Sequence, residues 1–170
     1  SCGQSGGSPA PLETPAPPVV RRTPPPQLLI VGNQIQNSYG ERVVLRGVAI
    51  ADPYMLANSP RGHFDAEDYR TLANDWGANI IRVPIYPLMW TRDPRYMEKA
   101  LDPLVQWGGE YGLYVFLGWH AHGNPVTGQE EVPHLSPDPH LAESALRAMA
   151  ERYRDKPWVL YGTFNKPAYI

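Results

Sequence analysis

The strongest constraint on this chain is an alternation. Three apolar runs, Asn79-Ile80-Ile81-Arg82-Val83-Pro84, Leu113-Tyr114-Val115-Phe116-Leu117 and Trp158-Val159-Leu160-Tyr161, each follow a helix-like stretch and a break. The breaks are Gly77, Gly112 and Lys156-Pro157. The middle run is unbroken apolar, as in a strand covered on both faces. Strands separated by helices need crossover connections. Those are right-handed in nearly all cases, and they build a parallel sheet.

The remaining elements fit this frame. Residues 27–47 read as an opening hairpin, with Asn37-Ser38-Tyr39-Gly40 as a turn signal. A first buried strand is predicted over 43–50. A helix is predicted over 65–76, with Asp65 as N-cap and Gly77 as stop, and with Tyr69, Leu72 and Trp76 along one face. A second helix is predicted over 96–111, regular from Pro103 and ended by Gly112. A third is predicted over 141–153. Between the third strand and the third helix lies a long loop, 119–138, holding His120, His122, Asn124 and His134.

Residues 1–26 are different. Eight of the 20 prolines fall there, among Gly and Ser, with no hydrophobic period. Such a segment cannot bury enough apolar surface to offset its ordering entropy, so it reads as a disordered tether. The domain is expected over 27–170. The single cysteine is Cys2, so no internal disulfide framework is expected. Ser1-Cys2-Gly3 followed by a tether resembles a bacterial lipoprotein after signal-peptide cleavage. That resemblance implies a lipidated Cys2, possible membrane attachment, and export to the cell envelope or beyond. The net charge of −2 gives no reason to expect a nucleic acid partner. No stretch of about 18 apolar residues exists to span a membrane.

Four segments, in order, carry a family resemblance. They are Leu45-Arg46-Gly47-Val48, Gly77-Ala78-Asn79-Ile80-Ile81-Arg82-Val83-Pro84, Gly112-Leu113-Tyr114-Val115 through Trp119-His120, and Phe164-Asn165-Lys166-Pro167. Together they resemble glycoside hydrolase family 5, which contains many endo-cellulases and β-mannanases. The resemblance implies an α/β fold: the first half of a (β/α)8 TIM barrel, about four strands and three helices. A full barrel needs about 250 residues, and residues 27–170 give 170 − 26 = 144. It implies β-linked polysaccharide or oligosaccharide as substrate, a retaining mechanism, no cofactor and no metal.

The resemblance also implies roles. Arg82 would hydrogen-bond the nucleophilic carboxylate. His120 would contact sugar hydroxyls, with His122 beside it. Asn165 would bond the sugar 2-hydroxyl, an interaction that strengthens in the transition state. Trp119, Trp90, Tyr86 and Tyr54 fall at or just past strand ends, where aromatic faces suit stacking on pyranose rings. Lys166 stands where the family has its acid/base glutamate. A retaining glycosidase needs two carboxyl groups about 5–5.5 Å apart. An ammonium with reference pKa near 10.4 is a poor acid and, while protonated, no base. The nucleophile would come from a seventh strand, which a half barrel lacks. The chain as written is therefore expected to be inactive. One alternative is a carbohydrate-binding barrel without catalysis. The other is a metal-dependent amidohydrolase-like barrel, from His120-Ala121-His122 with a later lysine. In that class the His pair lies on the first strand, whereas here it is on the third.

Overall fold

Four parallel strands form the frame. The computed structural model describes residues 22–130 and 132–168. Of the tether expected over 1–26, residues 1–21, with Cys2, lie outside the described residues. An antiparallel hairpin, β1 (Leu28–Val31) and β2 (Gln34–Asn37), comes first. The parallel sheet follows in the order β3 (Gly47–Ala49), β4 (Ile80–Ile85), β5 (Tyr114–Trp119) and β7 (Val159–Gly162). Between β5 and β7, β6 (His122–Gly123) pairs in parallel with β8 (Lys166–Pro167). The first strand is shorter than the expected 43–50. Val43 instead donates its N–H to Ile35 in the hairpin, so the chain joins the sheet only at Gly47.

The register sorts the two faces. Ile81, Val83 and Ile85 stand opposite Val115, Leu117 and Trp119, and all six are fully buried. They face the helices and meet Leu101, Leu104, Ala145 and Met149. Each such side chain contributes about 1.5–3 kcal/mol through burial. The other face carries Ile80, Arg82, Phe116 and Leu160, which are partly buried and line an open concavity of about 530 Å³. The third strand is thus sealed on one face and half-covered on the other, not covered on both.

The helices follow the sequence signals with two differences. The helix α2 (Ala66–Asn74) begins at Asp65, whose carboxylate accepts from the Glu67 and Asp68 N–H groups. It ends before Trp76, which is 70% exposed and not part of the apolar face. The stretch expected as one helix over 96–111 is two. Met97–Leu101 is a π-turn in which Asp102 N–H bonds Met97 C=O five residues back. The α4 helix (Asp102–Tyr111) starts after it and closes on Gly112 at φ 73°. Pro103 has no N–H to give the carbonyl four residues earlier, so the ladder is rebuilt with a wider turn. The third helix, α5, spans Pro139–Arg152, capped by Asp138.

Two short helices escaped the sequence reading: α1 (Pro53–Asn58) and α3 (Pro87–Arg92). Each begins with proline at its first position, within a few residues of the end of a sheet strand. Residues 22–26, expected as tether, pack on the domain. Arg22 N–H bonds Glu110 C=O at 2.8 Å, Pro25 is buried, and Tyr114 Oη donates to Pro26 C=O at 2.7 Å.

Candidate functional site

The C-terminal ends of β4, β5 and β7 converge on one cluster. Arg82 sits mid-strand in β4, rather than at the strand end, with its side chain on the concave face. Its Nη2 donates to Asn165 Oδ1 at 2.5 Å. Asn165 Nδ2 lies 2.9 Å from His122 Nε2. An amide nitrogen can only donate, so His122 Nε2 accepts and its ring proton sits on Nδ1. The chain Arg82–Asn165–His122 thus ties strand β4 to the segments after β5 and β7. Lys166, the next residue, is exposed and stands opposite His122 in the β6–β8 pair.

A row of rings extends from this cluster. His122 and His120 have centroids 5.1 Å apart, His120 and Tyr86 5.1 Å, and Tyr86 and His134 6.0 Å. His120 N–H is fixed by Ile85 C=O at 2.9 Å. Burial, and then the cationic groups around it, Arg82 and Lys166 among them, push the His120 pKa down to about 4. Its imidazole is therefore neutral at ordinary pH. Its buried Nδ1 has no hydrogen-bond partner among the described residues.

Of the four aromatics expected at the rim, Trp119 is wholly buried. It packs edge-on against Trp90 at 6.0 Å, so its ring belongs to the core and offers no open face. Tyr86, Trp90 and Tyr54 are partly exposed. Trp90 and Tyr54 both lean on the buried Tyr96, at 5.6 Å and 5.9 Å.

Asp52 organises this side of the site, a role the sequence reading missed. It is fully buried. Oδ1 accepts from the Tyr54 and Met55 N–H groups, and Oδ2 from Tyr86 N–H at 2.9 Å and Tyr96 Oη at 2.8 Å. Burial raises its pKa, and the four hydrogen bonds oppose that rise. One carboxylate thus starts α1, anchors the end of β4, and pins Tyr96. The available signal was Asp-Pro just after a strand, an N-cap followed by proline at the first helical position.

Among the described residues, His63, Asp65 and Asp68 form a group of three ligand side chains close enough together to hold one ion.

The model of the family described as Cellulase (glycosyl hydrolase family 5) matches residues 36–169. The chain belongs to glycosyl hydrolase family 5. An endoglucanase from Clostridium saccharobutylicum is 26% identical over 83% of this chain and 29% of its own length. Endoglucanase E-5 from Thermobifida fusca is 29% identical over 81% of the chain and 28% of its own. Among solved structures, a β-glucanase from Saccharophagus degradans superposes with a TM-score of 0.79 at 30% identity. It covers 91% of this chain and 47% of that one. The same β-glucanase has been solved in complex with cellotetraose. The chain therefore spans about half the length of these solved relatives and under a third of the curated ones. Its four parallel strands are a part of the family's (β/α)8 barrel, and the cluster lies at the strand ends, where such barrels carry their active sites.

Proposed function

We propose that this chain carries the glycan-gripping part of a family 5 active site and that, with Lys166, it binds β-linked glycan without cleaving it. The observation behind this reading is the Arg82–Asn165–His122 chain, bordered by His120 and Tyr86. Asn165 and His120 face the sugar hydroxyls, and Tyr86 and Trp90 offer ring faces. Trp119 backs Trp90 from the core. Arg82 serves the nucleophilic carboxylate, which the four strands described here do not include.

The family's reaction is retaining hydrolysis of O-glycosidic bonds in a β-glycan of the cellulose or mannan type. It needs a carboxylic acid to protonate the leaving oxygen and, as carboxylate, to deprotonate water. Lys166 offers an ammonium at that position. Binding without turnover is the outcome its chemistry favours. The domain organisation we propose is a tether ahead of the barrel, anchored through a lipidated Cys2 in an exported protein.

Titration of the full chain with cellotetraose and mannotetraose tests this reading, with tryptophan fluorescence and reducing-sugar release followed together. Saturable binding of one of them without release is expected. No binding of either would sink the glycan reading, and rapid release would sink the non-catalytic part.

A further inference from the structure

We infer that the run Pro17-Pro18-Val19-Val20-Arg21, which directly precedes the described residues, docks in extended form into a groove on this protein's own surface, between α4 and the end of α5. The inference rests neither on the glycan reading nor on lipidation of Cys2.

The groove holds about 730 Å³, and its floor is Val105 and Gly109 of α4 with the ring of Trp158. Trp158 Nε1 donates to Val105 C=O at 2.9 Å, which fixes the indole against α4. A Cβ on Gly109 would come within 2.7 Å of that ring, so only glycine lets the indole lie this close to the helix backbone. Asp102, paired with Arg152, closes one end. Glu110 marks the other. The sheet order is β3-β4-β5-β7, so further barrel strands add beside β3 and β7. The groove lies instead between the helices that precede β5 and β7, both of which are described, and completing the barrel does not fill it.

The described chain already reaches this groove at its Glu110 end. Arg22 N–H bonds Glu110 C=O at 2.8 Å, and Arg22 and Pro24 both line the groove. Twenty-one residues precede Arg22, and among them Val19-Val20 is the one adjacent pair of branched apolar side chains. Pro17-Pro18 ahead of that pair holds the backbone near the polyproline conformation. A run pre-set in this way loses little further freedom on docking, which is why aromatic-lined grooves take proline-rich segments.

Length and charge agree. From Glu110 back to Asp102 is 110 − 102 = 8 helical steps. That is about 12 Å at about 1.5 Å per step, and an extended run at about 3.1 Å per residue covers it with about four residues. Counted back from Arg22, those four are Arg21, Val20, Val19 and Pro18. The two valines then lie over Val105, Gly109 and Trp158. Arg21 stays beside the Glu110 carboxylate, which accepts from the neutral Gln106 amide at 3.0 Å. Glu110 and Trp158 stand just before β5 and β7. The docked run therefore fixes where the tether leaves the domain, at the end of the sheet opposite the Arg82–Asn165–His122 cluster.

The test is NMR of the full chain with labelled valine methyls and tryptophan. Nuclear Overhauser contacts from the Val19 and Val20 methyls to the Trp158 ring are expected. Val19→Ser with Val20→Ser should move the Trp158 indole resonance, and it changes no residue of the described fold. Trypsin gives a second measurement. Cleavage between Arg21 and Arg22 should run about tenfold or more slower in the full chain than in a free peptide of residues 15–26, because proteolysis tracks the undocked fraction. The double serine variant, normalised to its own peptide, should recover most of that loss. Absence of contacts to Trp158 overturns the inference, and so does equal normalised cleavage of the two proteins. Contacts that appear only between differently labelled copies in a mixed sample would put a second copy's segment in the groove and overturn the docking within one chain. Contacts that persist after dilution with unlabelled protein support it.

Discussion

Arg82 and Asn165 stand 83 residues apart in sequence and 2.5 Å apart in space. The bond joins the second sheet strand to the segment leaving the fourth. Asn165 also supplies the N–H that His122 accepts, so one amide satisfies two partners from two other segments. Asn165→Ala should leave both without it and cost about 1–3 kcal/mol of stability. Asn165→Asp should cost less, because it still accepts from Arg82. Urea denaturation of the three proteins measures the order. Equal midpoints for all three would mean that Arg82 and His122 find other partners.

Asp52 holds Tyr86, Tyr96 and the start of α1 through four accepted hydrogen bonds. Asn at this position keeps one acceptor oxygen and turns an N–H toward groups that are themselves donors. Asp52→Asn should lower stability by about 1–3 kcal/mol. It should also weaken glycan binding by loosening Tyr86. Asp52→Ala alone could not separate the two effects, since it also opens a cavity. The informative comparison is Asp52→Asn with Tyr96→Phe, which removes one donor and leaves the Tyr86 anchor. Binding should fall in the first and hold in the second.

These two sites differ in how far the sequence disclosed them. Periodicity and breaks placed the sheet strands and the main helices, because Gly77, Gly112 and Asp65 act locally. Arg82, His120 and Asn165 were legible through motif order. Asp52 was not, because its four donors come from Tyr54, Met55, Tyr86 and Tyr96, and no local pattern links residue 52 to residue 96. The burial of Trp119 was equally hidden. Its position after an apolar strand suits a rim as well as a core, and the packing of Trp90 decides between them. The π-turn before α4 was half-legible. Pro103 marked a break in the helix but not the wider turn that absorbs it.

His120 makes a pH prediction. Its folded pKa is lowered from 6.5 to about 4, by burial first and by neighbouring positive charges second. A depressed folded pKa means the unfolded chain binds more protons between those values. The His120 contribution to stability is therefore fully present above about pH 6.5 and is lost as pH falls toward 4. The melting temperature should drop through that window, and His120→Gln should flatten this part of the profile. Carbon-13 histidine NMR checks it directly. A His120 midpoint near its ordinary value would show that water reaches the ring.

Cys2 gives a cellular prediction. Expressed behind a cleavable lipoprotein-type signal, the protein should fractionate with membranes, and Cys2→Ala should release it to the soluble fraction. A single acyl chain holds only marginally, so the contrast should be sharpest if the cysteine carries more than one. Identical partitioning of the two forms would make residues 1–21 an ordinary linker.

The last prediction concerns turnover at position 166. In a polypeptide with all eight barrel strands and a nucleophilic carboxylate, glycosylation of that nucleophile still needs an acid at the leaving oxygen. Lys166 is poorly suited to protonate it, and its ammonium cannot later accept a proton from water. General acid/base help is worth about 10²–10⁴-fold, so Lys166→Glu should raise polysaccharide hydrolysis by at least that range. An aryl glycoside with a good leaving group needs little protonation, so the lysine form should lose less in its first step. The covalent intermediate would then wait for a base. Azide, already a nucleophile without losing a proton, should capture it and speed the lysine form while leaving the glutamate form nearly unchanged. Product analysis should find the β-glycosyl azide, since two inversions retain configuration. Hydrolysis of polysaccharide by the lysine form as fast as by the glutamate form would remove position 166 from the acid/base role.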